Sequence, residues 1–210
     1  MKRICLLVAL VVLALASSSV RAAEYLLRSE QSELVVLVFK AGFASVLAHD
    51  HVVRATRFDG TIRGDPADPA TAVVQVTVSA AALVADEPEV RQRHGLAGTL
   101  SSADRREIQA KMLGETQLHV AAYPDISFRS VAVEPRAPAS FLVTGDFTLH
   151  GTTRRISVPV AAQLSGGTLR ATGAFDFNQN DFGIIPVSLL LGAVRTQDRV
   201  RIVFDLVAAP

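Results

Sequence analysis

The chain has 210 residues, half of them hydrophobic and a fifth charged, with a formal net charge of +1. That length allows one domain with a hydrophobic core of useful size. No basic run or stripe exists to meet nucleic acid, and there is no G-x-S-x-G elbow, P-loop or dinucleotide fingerprint. In chain order, Lys2 and Arg3 come first, then an apolar run over 4–16, then small residues ending at Ala22. This pattern predicts a secretory signal peptide over 1–22, cleaved after Ala22 with Val20 at the minus-three position. The folded domain is then 23–210, in the periplasm or secreted. The apolar run is short for a membrane span. Cys5, the only cysteine, falls inside it and lacks the small-residue context of a lipoprotein cleavage site. The mature chain therefore has no disulfide, and loss of Lys2, Arg3 and Arg21 changes its formal charge to −2.

Strand patterns dominate the remainder. Residues 25–28 form a short first candidate. Residues 32–40 are apolar on both faces, so that strand is expected to be central or covered on its outer side. In 52–64, Phe58, Gly60 and Ile62 alternate with Asp59, Thr61 and Arg63. Residues 65–69 read as a turn, and 71–79 as a β-branched strand. The charged stretch 86–100 reads as a loop or short helix. Ser101 and Ser102 can cap a helix over 103–113, with Asp104 in its first turn and Gly114 as its stop. Ile108 and Met112 are spaced to share its buried face. Strands are expected over 126–133, 168–177, 184–191 and 199–207.

Between these lies the clearest signal, a long hairpin over 141–164. Phe141, Val143, Gly145, Phe147 and Leu149 share one face of its first arm, and Ile156, Val158, Val160, Ala162 and Leu164 repeat the pattern in the second. His150-Gly151 is the turn, where Gly151 can take a positive φ. Pro159 cannot donate an N–H, so a bulge or an edge is expected there. The whole pattern predicts an all-β, mainly antiparallel fold with one helical insertion. Closing about eight strands into a barrel would remove exposed edges.

The hairpin sequence GDFTLHGTTRRISVPV resembles the glycine, apolar-Thr-apolar, His-Gly-x-Thr-Arg pattern of the YceI-like family. Residues 123–130 (YPDISFRS) and 58–62 (FDGTI) are similar to two further segments of that family, and 180–183 (NDFG) to a third. They fall in the family's order and span the mature chain. The resemblance implies a lipocalin-like barrel whose apolar interior binds a polyisoprenoid or similar amphiphile outside the cytoplasm. Two segments depart from the pattern. Residues 91–96 (RQRHGL) lack the Asp of the family's Arg-Asp-x-His-Leu-like stretch, and Gln179 or Asn180 stands where a basic residue is expected.

All ten phenylalanines belong to the mature chain. Phe39, Phe58, Phe128, Phe147, Phe175, Phe177, Phe182 and Phe204, with Leu149, are the candidate ligand-binding wall; ordinary core packing is the alternative. A small barrel interior is either filled by side chains or holds one ligand. Gly60, Gly145 and Gly173 share phase with these aromatics and are expected to leave room. His49-Asp50-His51 reads as a polar turn; with His94, His119 or His150 it could instead hold zinc or copper. Arg154-Arg155 reads as a solvated turn, with an anionic headgroup as the alternative. No metal, cofactor or catalytic residue is assigned. The leading expectation is a carrier or sequestering protein for an isoprenoid or other long-chain amphiphile. The rivals are a periplasmic metal-binding protein using His49 and His51, and a hydrolase on a barrel scaffold.

Overall fold

The structure, a computed structural model, describes residues 22–210. The expected signal peptide therefore lies outside the described residues up to its final residue, Ala22. The strands are β1 (Ala23–Leu27), β2 (Glu33–Ala41), β3 (His51–Ala55), β4 (Phe58–Asp65), β5 (Asp68–Ser79), β6 (Leu83–Ala85), β7 (Asp125–Ala137), β8 (Ser140–Leu149), β9 (Thr152–Ser165), β10 (Thr168–Asn178), β11 (Ser188–Leu189) and β12 (Val194–Ala209). All pairings are antiparallel.

The pairing registers reduce these pieces to eight positions. β1 pairs with β4 and β2 pairs with β3, in registers offset by two residues, so β1–β2 and β3–β4 are two broken strands lying side by side. β5 and β6 continue the pattern against β4 and β3. The breaks, at 28–32, 56–57 and 80–82, align across the sheet. Local bonds replace the ladder there. The Thr56 N–H and hydroxyl both donate to the Ala82 carbonyl, at 2.9 and 2.8 Å. The Ser32 hydroxyl donates to Arg28 O and accepts from Val207 N–H. From β5 the path continues through β7, β8, β9, β10 and β12, and β12 returns to β2 and, at its end, to β1. The result is an up-and-down barrel closed by its first and last strands, which leaves no long free edge.

The insertion between β6 and β7 contains two helices: α1 (Pro88–Arg93), in the stretch read as a loop or short helix, and the expected α2 (Ser102–Leu113). Pro88 pre-sets the first turn of α1, and Arg91 anchors its end to the loop by donating to Ala97 O. α2 starts at a reciprocal capping box. The Ser101 hydroxyl accepts from Asp104 N–H, and the Asp104 carboxylate accepts from Ser101 N–H. Gly114 ends the helix in extended backbone, without the left-handed turn usual at such a glycine. Ile108 and Met112 pack from α2 onto the buried cluster of Val53, Phe58, Val78 and Leu83.

Other boundaries differ where local sequence was ambiguous. The expected strand over 184–191 contributes only β11; a 3-10 turn, Gln179–Phe182, closed by Gly183 at φ +75, precedes it and a second, Leu190–Gly192, follows β11. β6 was not anticipated; three apolar residues carry no readable period. β2 is covered outside as expected: Val35 and Val52 are buried beneath Val90 of α1.

Candidate functional site

Strand alternation sends one set of apolar side chains into the barrel. There they surround a cavity of about 1040 Å³. Its wall begins at the turns around Pro66, Ala139 and Leu164 and ends at α2 and the segment 184–196. Polar groups concentrate near that second end, where His49, His51, Asp104, Glu107 and Lys111 reach the lining.

Phe128, Phe147, Phe175, Phe177 and Phe204 line this cavity, together with Leu149. Phe147 is the hub of the aromatic set. Its ring meets Phe175, Phe177 and Phe182 at centroid distances of 5.8, 5.6 and 5.3 Å, all edge-on. Three of the expected wall residues do not line the cavity. Phe39 has the phase of Val35 and Leu37, which face outward on β2, while Leu34, Val36 and Val38 face in. Phe58 is buried beside the strand breaks, where the bend lets neighbours close around it. Phe182 is buried in the 3-10 turn after β10 and packs behind Phe147 and Phe177.

The glycines also act differently from expectation. A Cβ on Gly145 would lie 2.4 Å from the Phe128 ring, and one on Gly173 would lie 2.5 Å from the Phe204 ring. At Gly60 it would meet Leu27 at 2.6 Å. These positions leave no open space; they let a neighbouring side chain lie flat on the backbone. Pro159 sits at an edge rather than a bulge. Pairing of β9 with β10 stops at Val160–Gly173, one residue before it, while pairing with β8 continues unshifted.

The turn segment 179–184 packs beside this parting. Arg154 Nε donates to Asp181 O at 3.1 Å, and His150 Nδ1 lies 3.2 Å from Phe182 O. Arg155 pairs with Asp146 on the outer face. Neither arginine lines the cavity. His150, at φ +50, meets the Tyr123 ring at a tilt of 59°, with centroids 4.4 Å apart. Tyr123 explains the neighbouring glycine as well: Gly151 has φ +71, and a Cβ there would be 2.6 Å from the tyrosine ring.

The histidine segment is tied to a buried network that sequence reading missed. Asp86 is fully buried. Its Oδ2 lies 2.6 Å from His51 Nδ1, and its Oδ1 accepts from Arg91 Nη1 at 2.7 Å and Val52 N–H at 3.1 Å. Arg91, also buried, donates further to Asp50 O and Ala97 O. Burial raises the Asp86 pKa, but the bonds from His51, Arg91 and Val52 outweigh it and hold the carboxyl below its ordinary range. Asp50 accepts from Lys40 N–H, the polar-turn role expected of it. Among the described residues, no group of three or more His, Cys, Asp or Glu side chains is arranged to hold a metal ion. His119 and His150 instead flank Tyr123, and His94 lies near Glu33. No spacing rule would have paired Asp86 with His51, thirty-five positions earlier.

Known proteins resemble this chain in both sequence and fold. A family model described as a YceI-like domain matches residues 25–208. A UPF0312 protein of Pseudomonas savastanoi is 34% identical over 133 residues, 60% of each chain. One from a Shewanella species is 28% identical over 177 residues, 81% of each. The match thus spans about 60% of the length of the Pseudomonas relative. Among solved structures, Burkholderia cenocepacia BcnA superposes with a TM-score of 0.65 at 20% identity, covering 87% of this chain and 99% of its own. A Campylobacter jejuni YCEI protein gives 0.57 at 14% identity, covering 75% and 84%. These two likenesses concern the fold, an antiparallel closed barrel. The sequence match runs through every strand from β1 to β12, and the chain belongs to the YceI-like family.

Proposed function

We propose that the protein holds an isoprenoid or similar long-chain amphiphile inside its barrel, outside the cytoplasm, for transport, storage or sequestration. The carrying observation is the cavity of about 1040 Å³ with its mainly apolar wall. It lies at the upper end of the range for small-molecule sites, roughly 300–1,000 Å³. Each methylene moved from water into such a wall contributes about 0.8 kcal/mol. A chain of several isoprene units therefore binds through area alone, and the few polar groups near α2 are left to meet a headgroup. The barrel is the architecture of a binding protein, and we assign it no catalytic step. The N-terminal pattern supports export, and the mature chain is expected to start at Ala23, after cleavage at Ala22.

The test is mass spectrometry of an organic extract of mature protein purified from its own cells, followed by titration of the delipidated protein with a polyprenol and a fatty acid. A long-chain amphiphile near one per chain is expected. An empty extract together with no binding of either probe would overturn the reading.

A further inference from the structure

The exposed apolar side chains are unevenly distributed. Among the described residues, five of the nine large hydrophobics that stand exposed fall on two loops at one end of the barrel: Phe43, Val46, Ile185, Leu189 and Leu191. Phe43 is 92% exposed and Leu191 fully so. The two loops are joined, since Ala44 N–H donates to Ala193 O and Gly42 approaches the same carbonyl too closely for any Cβ. Leu191 has a left-handed backbone, φ +54, which is unusual for a leucine and holds its side chain out from the fold. Segments 41–48 and 183–194 contain no Asp, Glu, Lys or Arg, in a chain that is one-fifth charged. Lys40 and Arg195 stand at the base of the loops, where β2 and β12 pair. The patch is continuous with the cavity wall through Val187 and Leu189.

We propose that this end of the barrel docks on the surface of a lipid bilayer. The loops Phe43–Val46 and Ile185–Leu191 enter the boundary between headgroups and acyl chains, and Lys40 and Arg195 face anionic headgroups. An uncharged apolar patch with cations at its base is the composition of a segment that lies in a membrane interface, and a solvated loop has no use for it. No helix among the described residues is long and apolar enough to cross a membrane, so the contact is peripheral. Its value rests on the lipid-binding reading. A ligand passing from bilayer to cavity beside Leu189 would cross little water.

The mature chain has no tryptophan, so Phe43→Trp places a single fluorophore at the patch. With vesicles of phosphatidylethanolamine and phosphatidylglycerol, its emission should shift to shorter wavelength, while Val131→Trp, on the outer barrel wall, should stay unchanged. Flotation of the native protein with the same vesicles should weaken roughly tenfold or more in the double variant Phe43→Ser, Leu191→Asn. Asn suits the left-handed backbone at 191, and both sites are exposed, so the fold is retained. Lipid content per chain is measured on the same preparations. A double variant that keeps its lipid and loses flotation supports docking. Native protein that carries lipid but does not float, with a Phe43→Trp variant whose emission does not shift, overturns docking and leaves the carrier reading standing. Native protein that floats without any bound lipid does the reverse. Self-association that these substitutions abolish, with no vesicle binding, assigns the patch to a second copy and overturns the proposal.

Discussion

At the scale of single residues, Asp86 and Phe147 carry the most consequence. Among the described residues, the Asp86 carboxylate is the only acidic partner of buried Arg91. Asp86→Asn keeps the shape and tolerates the positive φ of 56 at that site, yet leaves a guanidinium buried without a counter-charge. The expected cost is about 3–5 kcal/mol, read as a lower urea midpoint. The same group sets an acid limit. Its folded pKa is depressed, so its contribution is fully present above the unfolded value, about 3.9, and is lost as pH falls through the folded one. Native protein should lose stability on acidification below about pH 4, and the Asn variant should show a shallower loss over that window. Phe147 has two roles: it lines the cavity and packs against three other phenylalanines. Phe147→Ala should therefore cost about 3 kcal/mol, the lower end for such a truncation, because the side facing the cavity has less packing to lose. Unfolding of delipidated protein gives the number, and lipid content per chain gives the effect on binding.

At the scale of elements, close packing of strands and the cap of one helix invite tests. Gly145 on β8 lies beneath the Phe128 ring of β7, with Arg129 O only 2.6 Å from where a Cβ would stand. A carbonyl in the ladder cannot retreat as a side-chain tip can. Gly145→Ala should destabilise by about 1–3 kcal/mol, visible in thermal unfolding. α2 contains no fully buried residue, and it leans on the barrel through Ile108, Met112 and Leu113. Gln109 fixes the middle of the helix to β6, accepting from Ala85 N–H and donating to Leu83 O, and the Ser101–Asp104 capping box orders its first turn. Ser101→Ala should cost about 1 kcal/mol, with the loss appearing first as faster hydrogen exchange in α2. The strand breaks are the less obvious device. They interrupt β1–β2, β3–β4 and β5–β6 at one level, and beyond them β3 meets α1, β6 meets α2, and His51 of β3 reaches the cavity lining.

At the scale of the whole molecule, the barrel separates a charged outside from an apolar inside. Arg155–Asp146, Arg170–Asp205, and Arg199 and Arg201 with Asp176 tile the outer face of neighbouring strands. Each exposed pair contributes little to stability, but together they keep either sign from dominating the surface. A ligand that binds only the closed barrel stabilises it by mass action. Removing bound lipid should lower the thermal midpoint, and adding a polyprenol back at about 100 times its Kd should restore about 2.7 kcal/mol. A midpoint indifferent to the polyprenol would separate the cavity from lipid binding.

The hairpin 141–164, the strand at 168–177 and the cap of α2 were legible because each is written in neighbouring residues. Alternation has a period of two, a capping box spans four positions, and a turn glycine sits beside its turn. The family pattern was legible for the same reason, as short runs in a fixed order. Tertiary structure alone decided which same-phase phenylalanines face a cavity and which are packed solid. Phe58 and Phe147 alternate alike, but one lies at a bend where neighbours close around it and the other on an open stretch of wall. It also decided the Asp86–His51–Arg91 network, since burial and partner choice depend on strands brought together by closure. Chain-local chemistry determines which faces are apolar. The curvature of the closed sheet determines how much space those faces leave, because that space is a property of residues distant in sequence.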